Sequence, residues 1–305
     1  MSDQNLETLI ESALKEYRRH RRSKWILQAI FVLLVVGVLS IPFLDEYTYK
    51  TPEHTAIVDV FGVIGIGSDA SAERINEGLR NAFKAEGVKG IVIRFNTPGG
   101  SPVQSSQINR EIDRLQEAYP DIPVYAVVDE ICASGGYYVA VAADKIFVDQ
   151  ASIVGSIGVR MDSFGFVDAM KSLGIERRLF TAGNNKGILD PFLPLENFDE
   201  GFATNMLNQV HNQFIDAVKQ GRGDRLVDDK EIFSGLFWIG EQAKNMGLVD
   251  DFGSVDSVAR EIIGTEVTIN YTPGNELLDR IGKEFGASVM SRLIELTGLN
   301  SIRMH

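Results

Sequence analysis

The sequence predicts an α/β protein with a largely parallel sheet and flanking helices, preceded by one N-terminal transmembrane helix. Two observations support this fold class. Short β-branched runs alternate with amphipathic helical segments between residues 56 and 182, and turn residues separate them. Ahead of them lies a long apolar run without a charge. Strands that alternate with helices form parallel sheets, because right-handed crossovers return each strand to the same edge.

The predicted elements of the body follow one another in a regular order. The apolar runs predict strands over 56–65, 88–95, 123–129, 145–150 and 176–182. Segments with a helical period predict intervening helices over 71–86, 103–118 and 164–173, and one that opens after residue 132. Further periodic segments predict helices over 197–220, 240–246, 254–263 and 276–298.

Residues 25–43 form a run of 19 residues without a charged side chain. A helix of that length spans roughly 28 Å, close to the ~30 Å hydrocarbon core of a bilayer. Basic residues precede the run, and Asp45 and Glu46 follow it. The positive-inside rule therefore predicts a single-pass anchor with a cytoplasmic N-terminus and an extracytoplasmic body. The alternatives are a buried core helix and a cleaved signal peptide, the latter disfavoured because no clear small-residue cleavage site follows.

The predicted organisation is one anchor followed by one catalytic body. The segments are a basic cytoplasmic segment over 1–24, the anchor over 25–43, a linker over 44–54, the body over 55–275 and a C-terminal helix over 276–305. The chain carries 42 acidic and 30 basic residues, a net charge of −12, which makes nucleic acid a poor partner. The four histidines are scattered and Cys132 is the single cysteine, so no metal or other cofactor is expected.

Two glycine-rich turns follow the second and third predicted strands. In the first, Gly99 and Gly100 leave room for backbone amides to face a ligand, although a plain tight turn is the alternative. In the second, Ser134 opens a helix and Gly135 follows it, although Ser134 taken alone reads as an N-cap. Together the turns place a nucleophile beside amide donors, the arrangement that acyl transfer requires.

A nucleophilic serine needs a base, and histidine is the usual one. None of the four histidines follows a predicted strand end, which disfavours a Ser-His-Asp triad. Lysine can replace histidine where burial lowers its pKa to ~7–8. The candidate is Lys186, in a loop of Gly, Asn and Pro after the predicted fifth strand. From the residues alone, a solvated loop lysine is the commoner interpretation.

Five segments together resemble the signal peptide peptidase A family (SppA, protease IV), whose fold is shared with Clp protease and crotonase. The matching segments are 96–100, 133–138, 154–159, 182–192 and 235–250. Family members often have Ser in place of Thr97 and Thr in place of Val154. They also commonly have a basic residue and Val in place of the pair 236–237.

The resemblance implies roles for residues of this chain. Ser134 would be the nucleophile and Lys186 its general base. The hydroxyl of Ser156 would orient the lysine ammonium, although an ordinary turn residue is the alternative for Ser156. Gly135 and one amide of the pair 99–100 would form the oxyanion hole. The candidate substrate subsites are Ile157, Val159 and Met161, for which core packing is the alternative.

The resemblance also implies a biological setting. It describes a bacterial inner-membrane serine endopeptidase that degrades cleaved signal peptides and other short apolar peptides. Short members assemble as homo-oligomeric rings, an octamer being one candidate, in which the lysine of one subunit completes the serine site of its neighbour. The rival interpretations are a crotonase-like acyl-CoA enzyme and a non-catalytic membrane scaffold.

Overall fold

The computed structural model describes residues 51–274, together with a few positions between residues 25 and 35. The predicted segment 1–24, most of the predicted anchor 25–43, and the predicted C-terminal helix 276–298 lie outside the described residues. Among the described residues, no helix combines the length and apolar content needed to cross a bilayer. The chain divides into the units Met1–Thr51 and Pro52–His305, and the sheet belongs to the second.

Eight strands of the described body form one sheet. They are β1 (His54–Phe61), β2 (Val88–Thr97), β3 (Val124–Ala133), β4 (Lys145–Val148), β5 (Ile153–Gly155), β6 (Phe237–Ile239), β7 (Asp251–Phe252) and β8 (Thr268–Asn270). Six of them lie in the order β6-β5-β3-β2-β1-β8, and β4 pairs with β3 and β7. Only β5 and β6 pair antiparallel within this described sheet. The predicted largely parallel sheet is confirmed.

Helices cover the sheet. They are α1 (Ala72–Lys84), α2 (Pro102–Ala118), α3 (Gly135–Ala140), α4 (Val167–Ser172), α5 (Asn197–Arg222), α6 (Gly240–Asn245) and α7 (Val255–Ser257), which continues as a π-helical turn over Val258–Ile263. The helices predicted over 71–86, 103–118 and 197–220 are confirmed within two residues at each end. The one predicted over 164–173 is the shorter α4.

The strand predicted over 176–182 is wrong, because these residues form no strand and are exposed. Phe180 is 91% exposed, so its apolar character does not reflect a place in the sheet. The edge of the sheet is instead built by β5 and β6, three residues each. Strands this short are too brief to show a period in the sequence.

The core lies on both faces of the three central strands. Consecutive residues from Ile91 to Ile93 in β2 are fully buried, as expected for a parallel strand covered by helices on both sides. On one face, α1 and α2 pack apolar stripes against the sheet, with Ile75 and Ile108 among their fully buried residues. The adjacent ends of β2 and β3 are thereby fixed, since Thr97 pairs with Cys132 in the ladder.

A buried ion pair joins the C-terminal end of α5 to the sheet. Arg222 is 1% exposed and donates to Asp250 Oδ2 at 2.7 Å and to the Gly247 carbonyl at 2.9 Å. Asp250 also accepts the Ile146 N–H at 2.7 Å. Burial alone would raise the pKa of Asp250, but the hydrogen bonds from Arg222 and Ile146 outweigh it and hold that pKa below its ordinary value.

Candidate active site

The turn after β2 is shaped by close contacts that exclude side chains. Gly99 has φ of +96°, and a Cβ there would lie 2.6 Å from both the Ala133 carbonyl and the Gly135 nitrogen. The Gly99 carbonyl accepts the Ile64 N–H at 2.9 Å, which ties the turn to the segment after β1. Thr97 donates its hydroxyl to the Gly62 carbonyl at 2.5 Å. The glycines are therefore required by the approach of two strand exits.

Ser134 connects β3 to α3 through a strained backbone. Its φ of 51° and ψ of −123° are rare for a residue with a side chain and cost of order 1–3 kcal/mol. Its N–H donates to the Gly155 carbonyl at 2.8 Å, which holds the turn in place. The hydroxyl makes no capping bond to α3, so the N-cap interpretation is not supported. This is a sharp strand-to-helix turn, the kind of turn on which α/β-hydrolases carry a nucleophilic serine.

Two backbone amides beside Ser134 are without a partner among residues 51–274. The N–H of Gly99 donates to Thr97 Oγ1 at 3.1 Å, so it is occupied. No such bond is made by the N–H of Gly100 or of Gly135, within the described residues. A Cβ on Gly135 would lie 3.1 Å from the Gly100 nitrogen, so the two amides are close together. Of the predicted pair 99–100, the geometry thus leaves Gly100 as the available donor.

A cavity of about 920 Å³ opens at these strand ends. Ser134 and the glycines of both turns line it, in agreement with the rule that sites in parallel sheets lie outside the carboxyl ends of strands. Most of its other walls are apolar. They include Val63, Pro98, Val103, Val159, Phe214 and Phe237. A cavity of this size and character accommodates part of an apolar peptide.

Ser156 shares the cavity with Ser134. It follows β5 with φ of 53°, and its N–H donates to the Leu236 carbonyl at 2.7 Å. Of the three residues named as subsites, only Val159 lines this cavity. Ile157 is fully buried in the core, and Met161 is exposed outside the cavity lining. Ile157 therefore packs in the core, which is the alternative to a subsite role.

Lys186 lies apart from this group in the single chain. It is exposed, in a turn where its backbone N–H donates to the Gly183 carbonyl at 3.1 Å. It is not among the residues that line the cavity. Within one chain, the described fold brings together the two serines and the glycines but not the lysine.

The segment that carries Lys186, residues 162–196, is here called the arm. It contains α4, of which no residue is buried. Large apolar side chains of the arm are exposed. They include Phe164, Leu173, Phe180 and Leu195. Clusters of exposed apolar side chains mark interaction sites on soluble domains. The sequence pattern did not indicate this, because the same residues predict a strand or a helix face.

Cys132 lies two residues before Ser134 and is fully buried. Burial strongly raises the pKa of its thiol, so it stays protonated and is no rival nucleophile. Among the described residues, no group of three or more His, Cys, Asp or Glu side chains could hold a metal ion.

Comparison with known proteins shows which family this chain resembles. Residues 116–266 match the model for peptidase family S49. A Brucella abortus protein named Na(+)/H(+) antiporter NhaA is 41% identical over 214 residues, which cover 68% of this chain and 29% of that protein. A putative protease of Methanocaldococcus jannaschii is 34% identical over 184 residues, covering 60% of this chain and 58% of that protein.

A putative signal peptide peptidase SppA of Enterococcus faecium is 28% identical over 195 residues, covering 63% of this chain and 56% of that protein. The chain thus spans between 29% and 58% of the length of these three relatives. The S49 match includes β3, Ser134 and part of the cavity wall, so this region of the chain is similar to peptidase family S49 and to its SppA-type relatives.

Proposed function

We propose that this protein is a membrane-anchored serine endopeptidase that cleaves short apolar peptides, cleaved signal peptides among them, through a dyad of Ser134 and Lys186. One observation carries the proposal. The strained turn at Ser134 carries a hydroxyl that makes no capping bond, beside two amides without a hydrogen-bond partner in the described part of the chain, in a largely apolar cavity. The family supports the serine peptidase chemistry, and the sequence resemblance supports the lysine and the substrate class.

The proposed reaction is acyl transfer. Neutral Lys186 accepts the hydroxyl proton of Ser134 while the oxygen attacks a peptide carbonyl. The N–H groups of Gly100 and Gly135 stabilise the oxyanion, a contribution of roughly 10²–10³ in turnover for each donor. The lysine then protonates the leaving amine, and water hydrolyses the acyl-enzyme. The hydroxyl of Ser156 orients the lysine ammonium.

The base is proposed to come from a neighbouring subunit of a homo-oligomeric ring, with an octamer as one candidate. Two observations support this arrangement. Lys186 does not line the cavity of its own chain, and the arm that carries it exposes large apolar side chains. An arm that packs on the next subunit would bury these side chains and deliver the lysine to an apolar cavity.

The membrane setting is proposed from the sequence. The uncharged run 25–43 with basic residues ahead of it supports a single-pass anchor in the bacterial inner membrane. The body would then lie on the extracytoplasmic side of the membrane. Cleaved signal peptides remain in that bilayer, within reach of the anchored body. The net negative charge of the chain repels phosphate backbones, so nucleic acid is not proposed as a partner.

A labelling and mixing experiment on the full-length protein tests the dyad and its sharing. A fluorophosphonate probe should label the wild type at Ser134, and Ser134→Ala should abolish labelling. Lys186→Ala should abolish hydrolysis of apolar reporter peptides while the oligomer stays intact. Lys171→Ala, which removes another exposed lysine of the arm, is the matched control and should stay active.

Mixed oligomers of the Ser134→Ala and Lys186→Ala variants should regain part of the activity, because some cavities then receive an intact serine and an intact lysine. A Lys186→Ala variant with a tenth or more of wild-type activity would reject this lysine as the base. Well-mixed oligomers that recover nothing would place both groups in one chain.

A further inference from the structure

The arginines of the described body are almost all neutralised by carboxylates. Eleven arginines lie between residues 51 and 274, and ten of them have a side-chain nitrogen 2.7 to 3.6 Å from an Asp or Glu oxygen. Arg110 is the exception among the residues that the structure describes. In a protein with 42 acidic and 30 basic residues, an arginine without a carboxylate is unexpected on charge grounds.

Arg110 lines the catalytic cavity. It lies on α2 on the same face as Val103 and Ser106, at spacings of seven and four residues, and all three contribute to the cavity wall. Its Nε donates to the Ser106 carbonyl of its own helix at 3.3 Å. The adjacent acid, Glu111, is already committed to Arg80 at 3.0 Å and Arg114 at 2.8 Å. The outer nitrogens of the Arg110 guanidinium therefore have no carboxylate partner among the described residues, although Arg110 lines both this cavity and a second cavity that Glu111 also lines.

The charge of the cavity is entirely positive. Arg110 and Arg160 are the charged side chains in its lining, and no Asp or Glu is found there among the described residues. Arg160 is highly exposed and lies 3.6 Å from Asp162, so its charge is partly compensated. A guanidinium presents paired donors that match the two oxygens of a carboxylate, and such charge-assisted bonds are stronger than neutral ones.

We propose that Arg110 is a specificity-determining residue that binds a carboxylate of the peptide substrate, from an acidic side chain or from a free C-terminus. This inference rests on the proposed peptidase function. Arg110 lies eight residues after Pro102, the first residue of α2 and close to the Gly100 amide. That is roughly 12 Å along the helix axis at 1.5 Å per residue. An extended peptide rises ~3.3 Å per residue, so the carboxylate lies about three to four residues from the scissile bond.

Matched apolar reporter peptides of one length test the inference. The set contains a neutral peptide with an amidated C-terminus, peptides with a single Glu placed three or four residues from the cleaved bond, and a neutral peptide with a free C-terminus. For wild-type protein at low salt, one carboxylate-bearing class should have a kcat/KM roughly ten- to hundredfold above that of the neutral amidated peptide. The preferred class identifies the carboxylate as side chain or terminus.

The variant Arg110→Gln should bring the ratio between the preferred and the neutral peptide to about one, chiefly through KM. Arg110→Lys should keep part of the preference, since it keeps the charge but not the paired donors. Arg260→Gln is the control, because it removes one exposed positive charge outside the cavity and should leave the ratio as in wild type. Equal kcat/KM for all peptides in wild type, or a ratio unchanged in Arg110→Gln, would overturn the inference.

Binding to the Ser134→Ala protein separates this inference from the proposed function. Fluorescence anisotropy with the same labelled peptides should show the same carboxylate preference and its loss in the Ser134→Ala, Arg110→Gln double variant. Arg110-dependent binding without any hydrolysis by the wild type would support the inference and refute the peptidase proposal. If the wild type hydrolyses the peptides and neither hydrolysis nor binding depends on Arg110, the peptidase proposal would be supported and the inference about Arg110 would be refuted.

Discussion

The turn that carries Ser134 and the arm that carries Lys186 are built in opposite ways. Around Ser134, neighbouring strands fix the backbone, and a Cβ on Gly99 would contact backbone atoms at 2.6 Å. In the arm, no residue of α4 is buried, and Phe180 is exposed over nearly its whole surface. One chain thus fully positions the proposed nucleophile and its amide donors, whereas the proposed base lies on a segment that leaves large apolar side chains such as Phe180 exposed.

The largest expected effect contrasts two aspartates, one on each side of this comparison. Asp250→Asn leaves the buried Arg222 without its charge partner and should destabilise the body by about 3–5 kcal/mol. Asp190→Asn breaks the ion pair between Asp190 and Arg177 in the arm. Because the Arg177 side chain is 40% exposed, this change should leave the unfolding midpoint nearly unchanged. Urea unfolding at neutral pH measures both, and similar losses would contradict the contrast.

The same pair gives a pH dependence of known sign. The folded-state pKa of Asp250 is lowered, so its stabilising contribution is present above the unfolded value of about 3.9 and is lost as pH falls through the folded pKa. The unfolding free energy of the wild type should therefore fall more steeply below about pH 4 than that of Asp250→Asn. Parallel curves for the two proteins would show that the ion pair does not titrate in this way.

The next effect concerns the amides. Gly135→Ala would place a Cβ 2.5 Å from Ser105 Oγ and 3.1 Å from the Gly100 nitrogen, so the turn must shift. We expect peptide hydrolysis to fall by at least roughly 10²-fold, as for the loss of an oxyanion donor. Gly165→Ala in the arm is the control, because a Cβ there meets no atom within 4 Å. A Gly135→Ala variant that keeps near-normal turnover would argue against this amide as an oxyanion donor.

The smallest expected effect concerns self-association. Phe180→Ser in the arm should weaken the oligomer by roughly tenfold in its dissociation constant, since it removes apolar area that packing on a neighbour would bury. Ile66→Ser is matched, because Ile66 is 92% exposed but lies outside the arm. Sedimentation velocity over a range of concentrations compares the two variants. Equal behaviour would indicate that the arm is not the contact surface.

The difference between the turn and the arm also explains which parts of the fold and site are predictable from the sequence. The central strands and their helices were predictable, because their periods and turn residues are local signals. The strand at 176–182 was predicted wrongly, since an apolar run such as that around Phe180 looks the same whether it pairs with a strand or remains exposed. Gly100 rather than Gly99 is the available amide donor because the Thr97 hydroxyl already accepts the Gly99 N–H. Arg110 lacks a carboxylate partner because the neighbouring acid Glu111 pairs with other arginines. These are properties of tertiary contacts.

The burial of Cys132 has a practical consequence. As the single cysteine of the chain, protonated and enclosed in the sheet, it should not react with maleimides while the protein is folded. A cysteine introduced at an exposed arm position such as Ser172 would then be the sole site for a spin label or fluorophore. Distances between such labels on the neighbouring subunits of the proposed oligomer could be followed in an otherwise unaltered protein.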